Sequence, residues 1–276
     1  MQAQFLEMES LSFYGALGLY TVAMVLYLGF FLGKREKLGH VATLMLWGAF
    51  FLHTVALITR GLDAQRVPLS NQYEFATSFA WGIALVYLIF ERRYSFRAMG
   101  AFVTPVALLI IGYAAMQSKD VRPLMPALRS TWLLFHVATA VISYGAFGVA
   151  FGVSGMYLLR DRFREDAFIE RHLPTLGKLD LISYRAVASG YFFLTLVIIT
   201  GAIWAEAAWG RYWAWDPKET WSLITWIIYS IYLHMRVVKG WSGKKAALFA
   251  LIGFLCVLFT YVGVNTLLPS IHSYVN

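Results

Sequence analysis

The chain has 276 residues, of which 59% are hydrophobic and only 14% are charged. Soluble domains usually carry about 25% charged residues, so this composition excludes an ordinary water-soluble protein. The formal net charge of +8 does not indicate nucleic-acid binding, because the lysines and arginines lie in short segments between apolar runs and not on one amphipathic face.

Eight apolar runs follow one another along the chain, each close to the roughly 20 residues that a helix needs to cross a bilayer. Membrane barrels instead have short segments of alternating hydrophobicity. The pattern therefore predicts an all-α polytopic membrane protein in which residues 1–276 form a single membrane-embedded domain. The predicted spans cover about 12–33, 40–59, 72–90, 98–116, 131–159, 181–204, 221–237 and 246–267.

The distribution of basic residues predicts how these spans are oriented. With eight spans, both termini lie on one side of the membrane, and the loops divide into two sets. One set holds fifteen lysines and arginines and the other holds seven, with Arg185 just inside the sixth span. Because basic loops stay on the cytoplasmic side, both termini and the loops at 60–71, 117–130 and 205–220 are expected outside.

Two smaller features concern redox or metal chemistry and helix packing. The chain has one cysteine, Cys256, in an apolar run, which excludes a disulfide framework, a CxxC redox pair and a thiolate metal site. The fifth span carries a stripe of glycines on one side of the helix, a pattern that allows close helix packing. The stripe consists of Gly145, Gly148, Gly152 and Gly155.

The most informative segment is rich in tryptophan. Six of the ten tryptophans lie between Trp204 and Trp226, and residues 209–221 read WGRYWAWDPKETW. An interfacial aromatic belt would recur at several span ends, whereas one external loop holds this cluster. Indole rings stack on flat, polarisable ligands while charged neighbours bind the ligand's polar edge. The cluster therefore favours a ligand platform, and haem, with two propionates at one edge, has the matching shape.

The run W-G-x-x-W-x-W-D-P-K-E-x-W resembles the signature of haem-handling proteins known as the WWD domain. Followed by Thr225-Trp226, it is most similar to the CcsA or ResC branch of System II cytochrome c biogenesis. A second element, PLSNQYE at 68–74 after Arg60, is similar to the P-L-S-N-x-Y-E element of that family. The resemblance covers nearly the whole chain. The haem platform that it implies consists of Trp209, Trp213, Trp215, Asp216 and Trp221.

Histidines inside a membrane are rare and usually functional, and four of the six match ligand positions of the family. The resemblance implies that His136, near the outer end of span five, and His272, in the C-terminal tail, bind the iron of external haem. It also implies a haem-ligating pair within the membrane, His53 and His234. The remaining two have ordinary interfacial positions and are expected to bind no haem: His40 and His172.

The resemblance implies a cytochrome c assembly protein that carries haem b across the membrane. Haem would be held by the membrane histidines, pass to the external pair and be presented for covalent attachment to the CxxCH segment of an apocytochrome c. The chain is expected to be a component of a haem lyase, or holocytochrome c synthase, complex; the residues leave open whether it is itself an enzyme. The expected location is the bacterial cytoplasmic membrane, or the thylakoid membrane of a plastid.

The expected partners follow from the same resemblance. The family acts with a second membrane subunit, CcsB or ResB, which this chain does not contain. A thioredoxin-like protein is expected to reduce the thiols of the apocytochrome, because a chain with one cysteine has no dithiol. No nucleic-acid partner is expected.

Two other functions remain open from the sequence. A protein like the CcmC branch shares the tryptophan loop but delivers haem to a chaperone; that branch has six spans and not eight. A di-haem cytochrome b-like subunit would exchange electrons with quinone, but such subunits place paired histidines on shared helices, and the tryptophan loop would then have no role.

Overall fold

The computed structural model describes residues 2–121 and 128–268, and every regular element in these two ranges is helical. His272 lies outside the described residues. A 3-10 turn (Arg97–Met99) precedes the fourth helix, and a π-helical turn (Phe259–Gly263) follows the ninth. The helices are α1 (Gln2–Gly33), α2 (Glu36–Ala64), α3 (Gln72–Tyr94), α4 (Gly100–Ala115), α5 (Thr131–Arg162), α6 (Ala167–His172), α7 (Leu176–Trp209), α8 (Pro217–Lys239), α9 (Lys244–Leu258) and α10 (Val264–Leu267).

Eight long helices coincide with the eight predicted spans. Among the described residues, seven helices are long and apolar enough to cross a membrane. The eighth, α8, has 23 residues, but its tryptophans, tyrosines and hydroxyl residues lower its hydropathy. The chain is a helical polytopic membrane protein, while the spanning role of α8 and the outside position of the termini remain predictions.

The helices form two compact units. Among the described residues, the first comprises 2–121 and 163–174 and contains α1–α4 and α6. The second comprises 128–162 and 175–268 and contains α5 and α7–α10. The two units carry different candidate histidines: His53 lies in the first, and His136 and His234 lie in the second.

An antiparallel helix pair, α1 with α2, forms the core of the first unit. From Gly39 to Asp63, the buried positions of α2 recur mostly every three or four residues, the spacing of a continuous packing seam. Large rings of α1 such as Tyr20 are fully buried together with small residues of α2 such as Ala49. Three side-chain contacts show the antiparallel direction: Glu9 with Arg60, Tyr20 with His53, and Tyr27 with Thr43.

A buried carboxylate, Glu91 of α3, connects α1, α2 and α3 near one end of this unit. It accepts hydrogen bonds from the hydroxyls of Tyr27 (2.6 Å), Thr43 (2.6 Å) and Tyr87. Gly100 leaves room for the Tyr27 ring, because a methyl group at this glycine would lie 2.5 Å from the ring Cγ. Three donors satisfy the carboxylate, as burial of a polar group requires, and so fix the three helices against one another.

Stacked rings form the core of the second unit. Phe147 of α5 and Tyr229 of α8 lie face to face, with ring centroids 3.9 Å apart and planes inclined by 2°. Gly190 of α7 and Gly253 of α9 allow this packing, because a methyl group would lie 2.6 Å from Phe147 Cε1 or 2.4 Å from Tyr229 Cζ. Four helices therefore converge on one pair of rings.

The glycine stripe of α5 serves packing, as predicted, along most of its length. Gly145, Gly148 and Gly152 are buried. Gly155 differs, because a methyl group there would meet no described atom within 4 Å.

An ion pair fixes the C-terminal half of α8. The Arg236 guanidinium donates to both carboxylate oxygens of Asp180 on α7, with Nη1 2.9 Å from Oδ1. The same Oδ1 accepts from the backbone N–H of Gly243 at 2.9 Å, just before α9. One carboxylate thus holds α7, the C-terminal end of α8 and the start of α9 together.

Candidate functional site

The tryptophan-rich segment folds into a short loop whose two ends are fixed by helix caps. Helix α7 ends at Trp209, and Gly210 adopts the left-handed conformation with φ of 71°. Glycine suits this C-cap because it has no Cβ to clash. Helix α8 begins at Pro217, so the loop itself contains only residues 210–216.

The D-P-K-E run forms the start of α8. The Asp216 side chain accepts hydrogen bonds from the backbone N–H groups of Lys218, at 3.1 Å, and of Glu219. The Glu219 side chain in turn accepts one from the backbone N–H of Asp216 at 3.2 Å. This reciprocal arrangement is a capping box, with proline at the first helical turn, where it is well tolerated. Asp216, predicted as part of the haem platform, thus has a structural role that the sequence analysis did not assign.

The same Glu219 carboxylate shapes the loop around Trp215. Its Oε2 accepts from the backbone N–H groups of Ala214 (2.8 Å) and Asp216 (3.2 Å), on either side of this tryptophan. Trp215 has φ of 58°, a left-handed conformation that costs about 1–2 kcal/mol for a residue with a Cβ. Its side chain is 69% exposed. The loop therefore displays an indole ring at the expense of backbone strain.

The other predicted platform tryptophans lie around this loop. Trp213 contacts Trp215 edge to face, with ring centroids 5.7 Å apart. The Trp213 Nε1–H is buried, and within the described part of the chain it has no hydrogen-bond partner. Trp221, in the first turns of α8, packs on Phe259 of the π-helical turn, with centroids 4.3 Å apart. An unused donor among aromatic rings suits a ligand with an anionic edge, which is a property of haem.

The clustering of six tryptophans in the sequence suggested one continuous surface. The structure instead separates them into two groups. Trp204 is buried in α7 and is 2% exposed. Trp226 stacks on Tyr191 and donates from Nε1 to Thr195 Oγ1 at 3.0 Å. These two tryptophans join α7 to neighbouring parts of the second unit. Trp213 and Trp215 lie in the loop, while Trp209 ends α7 and Trp221 lies in the first turns of α8.

His136 is half-buried and contacts α7 on the same unit as the loop. Its Nδ1 lies 2.8 Å from the carbonyl oxygen of Val197, and only a protonated Nδ1 can donate to a carbonyl. Its ring stacks on Trp204, with centroids 5.9 Å apart and planes inclined by 23°. Trp204 in turn contacts Trp209 at 4.8 Å. A chain of ring contacts therefore connects His136 to the end of α7, where the loop begins.

His53 has a different environment, in the seam between α1 and α2. The ring is 0% exposed, and its Nδ1 lies 3.1 Å from the Tyr20 hydroxyl. Its Nε2 is also buried and, within residues 2–121 and 128–268, makes no hydrogen bond of normal geometry, although the backbone of Thr77 on α3 interacts with the ring. An unpaired buried nitrogen is costly and is the atom type that binds haem iron, so His53 fits a ligand role.

His234 is exposed on α8, on the side of the helix that also exposes Ile231 and Val238. A histidine on an apolar helix face is unusual in a membrane protein. The pairing of His53 with His234 and that of His136 with His272 remain predictions.

A group of three or more His, Cys, Asp or Glu side chains that could hold a bare metal ion is absent from residues 2–121 and 128–268. Haem iron needs at most two protein ligands, so this absence is compatible with haem.

Lys218 adds a titratable charge next to the loop. Burial lowers the pKa of its amine from 10.5 to about 8, although the neighbouring Asp216 carboxylate acts in the opposite direction. Desolvation disfavours the charged form of a lysine, so the ammonium is present below about pH 8 and is lost above it.

The PLSNQYE element forms a buried ion network in the first unit. Glu74 is 0% exposed and accepts from Arg60 Nε (3.1 Å) and from Arg66 Nη1 (2.7 Å) and Nη2 (3.0 Å). The backbone N–H of Ser70 also donates to it at 2.8 Å. Arg60 donates further to the carbonyl oxygen of Lys119 at 2.7 Å. The element therefore holds the 65–71 loop and the end of α4 on α2 and α3.

Comparison with known proteins agrees with these features. The model of the family described as "Cytochrome C assembly protein" matches residues 69–272. The cytochrome c biogenesis protein CcsA of Synechococcus sp. (strain CC9605) is 35% identical, over 94% of this chain and 95% of that protein. CcsA of Chlamydomonas reinhardtii is 36% identical, over 85% of this chain and 68% of that protein.

A solved structure shares the fold. The cytochrome c heme lyase CcmF superposes on 92% of this chain with a TM-score of 0.67 at 15% identity, and the match spans 46% of the CcmF chain. The helical architecture described above is therefore that of a known class of polytopic membrane proteins.

The chain belongs to the cytochrome c assembly protein family. Cytochrome c biogenesis is accordingly the process in which it acts, as the tryptophan signature and the PLSNQYE element predicted.

Proposed function

We propose that this protein receives haem b within the membrane and presents it on the external side for covalent attachment to an apocytochrome c. The proposal is supported most strongly by the second unit, where His136 and the tryptophan loop are joined through Trp204 and Trp209. An imidazole with a protonated Nδ1 carries its lone pair on Nε2, the atom that binds iron. A ligand nitrogen and a displayed aromatic surface thus belong to one rigid arrangement.

The residues around the loop suit the shape and charge of haem. Trp215 offers an exposed ring face, and Trp213 offers a buried N–H donor for a propionate oxygen. Below about pH 8, the Lys218 ammonium adds a positive charge near the same loop. We assign His272 as the second external ligand on the strength of the family resemblance.

The membrane pair, His53 with His234, would hold haem before it reaches the loop. His53 supports this role through its buried Nε2, which makes no hydrogen bond of normal geometry within the described residues, but the ring is fully covered. Ligation at His53 therefore requires the helices around it to separate, and the proposal includes such an opening step.

Attachment itself depends mainly on positioning. The protein would orient the haem vinyl groups toward the thiols of a CxxCH segment, and well-oriented reactants lower a barrier by several kcal/mol. Haem supplies the thioether chemistry when it is bound. The chain would act with a CcsB- or ResB-type subunit, while a thioredoxin-like protein keeps the apocytochrome thiols reduced.

Coexpression of the chain with a ResB-type subunit and an apocytochrome c reporter tests this function. Wild type is expected to give covalent haem on the reporter after denaturing electrophoresis. His136→Ala is expected to lower it at least about tenfold, because losing even an outer partner of a metal-binding histidine typically costs about 10–100-fold. His40→Ala is the matched control, because His40 is exposed and its Nδ1 lies 2.8 Å from the carbonyl oxygen of Glu36 in its own helix. Wild-type haem attachment in His136→Ala would contradict the proposal, and so would haem that is bound but never attached to the reporter.

A further inference from the structure

We propose that three residues of α7, namely Val197, Gly201 and Trp204, form a seat that sets the tautomer and the orientation of the His136 ring. This inference rests on the proposed function, because it concerns the nitrogen with which His136 would bind haem iron. None of the three residues would itself touch the iron.

The seat follows from the spacing of its members along α7. Residues 197, 201 and 204 are separated by four and three positions, so they lie on one face of the helix. Each makes a different contact with the same imidazole: the Val197 carbonyl oxygen lies 2.8 Å from Nδ1, and Trp204 stacks on the ring. Gly201 lies beside the Cε1–Nδ1 edge of the ring.

Gly201 contributes to the seat because it has no side chain, which leaves room for the His136 ring. A methyl group at this position would lie 2.8 Å from both Cε1 and Nδ1 of His136, well inside van der Waals contact. The imidazole is at the end of a side chain and can rotate away, so an alanine would not block the packing of α5 on α7. The ring would, however, leave the Val197 carbonyl and the face of Trp204.

The seat fixes the chemistry of the imidazole as well as its position. The hydrogen bond to Val197 requires the proton on Nδ1, which places the lone pair on Nε2. Outer partners of this kind orient ligating histidines and raise their basicity, and their loss typically weakens metal binding by about 10–100-fold. Val197, Gly201 and Trp204 are thus positioning residues for the external haem site.

The test compares haem bound to the purified complex of chain and partner subunit in wild type, Gly201→Ala and His136→Ala. Haem content is measured as the pyridine haemochrome, and the spin state of the iron from the absorption spectrum. Gly201→Ala is expected to reproduce the loss of low-spin haem seen in His136→Ala, with haem affinity reduced about tenfold or more. Added imidazole is expected to restore the low-spin spectrum of the haem that stays with the protein through size-exclusion chromatography, whereas an unfolded variant would retain no haem in that fraction.

Two controls make the result specific. Gly155→Ala introduces the same methyl group on α5, where it meets no described atom within 4 Å, and should behave as wild type. Trp204→Phe retains a stacking ring and should keep most low-spin haem, whereas Trp204→Leu should lose it. A wild-type spectrum in Gly201→Ala together with a changed spectrum in His136→Ala would overturn the seat and leave the proposed function standing. An unchanged spectrum in His136→Ala would overturn the external haem site itself.

Discussion

His53 and His136 are both candidate haem ligands, but they lie in contrasting surroundings. His53 is 0% exposed in the seam between α1 and α2, with Tyr20 on its Nδ1. His136 is half-buried beside a loop that leaves Trp215 69% exposed. The first region is a closed helix interface and the second is a preformed surface. Under the proposed function, the helices around His53 must separate before it can bind haem, whereas His136 already belongs to the same unit as an exposed tryptophan ring.

The largest expected loss of stability comes from breaking the buried ion network of Glu74, Arg60 and Arg66 in the first unit. Glu74→Ala leaves Arg60 buried without its closest carboxylate, and removing one partner of a buried ion pair costs about 3–5 kcal/mol. Thermal unfolding in detergent should show a large loss of stability. Glu165→Ala, at an exposed position, should show none; equal stability of the two variants would mean that the network does not hold this unit together.

A smaller loss of stability is expected when the contact of the buried His53 with Tyr20 is removed. Tyr20→Phe removes the hydroxyl that lies 3.1 Å from His53 Nδ1, and an unsatisfied buried polar atom costs about 1–3 kcal/mol. Thermal unfolding of the variant measures this loss. Tyr14→Phe is the control, since Tyr14 is 51% exposed. If Tyr20→Phe is as stable as wild type, the His53 ring is not held by the seam.

In the exposed loop, a substitution is expected to lower haem attachment without lowering the stability of the protein. Trp215→Asn replaces a strained left-handed tryptophan with a residue that tolerates this conformation, so stability should stay unchanged or rise by about 1 kcal/mol. Covalent haem on a coexpressed apocytochrome c should nevertheless fall. Trp47→Ala removes another exposed tryptophan and should leave attachment intact. Normal attachment in Trp215→Asn would show that the displayed ring has no role.

The smallest effect concerns the charge next to the loop. Because the pKa of Lys218 is lowered to about 8, its neutral amine becomes abundant as the pH rises through 8, and its acylation rate should rise with that midpoint. Mass spectrometry can follow the modification, with the exposed Lys239 in the same sample for comparison. Asp216→Asn keeps a good capping residue but removes the carboxylate that raises the pKa, so the midpoint should fall further. A midpoint near 10.5 would mean that Lys218 is not desolvated.

The sequence predicted the helices well, because a run of about 20 apolar residues has few alternatives in a membrane. It also located the tryptophan loop. The D-P-K-E run contained a further signal, since an N-cap aspartate followed three residues later by glutamate is a capping-box pattern. The sequence interpretation assigned Asp216 to ligand binding and missed that role.

Other features depend on contacts between distant parts of the chain. His136 meets the Val197 carbonyl across 61 residues, and Tyr20 meets His53 across 33. No local pattern around these histidines indicates which nitrogen is occupied. In the sequence, Gly201 is likewise indistinguishable from any other small residue in a predicted span. Only the packing of α5 on α7 shows that it makes room for the His136 ring.

The haem content and absorption spectrum of the purified complex test the central claim most directly. Wild type is compared with single alanine variants of His53, His136, His234 and His272, and with His40→Ala as control. The account predicts that each of the four variants loses haem or low-spin character, with His40→Ala unchanged. Full haem content and a wild-type spectrum in all four variants would contradict it.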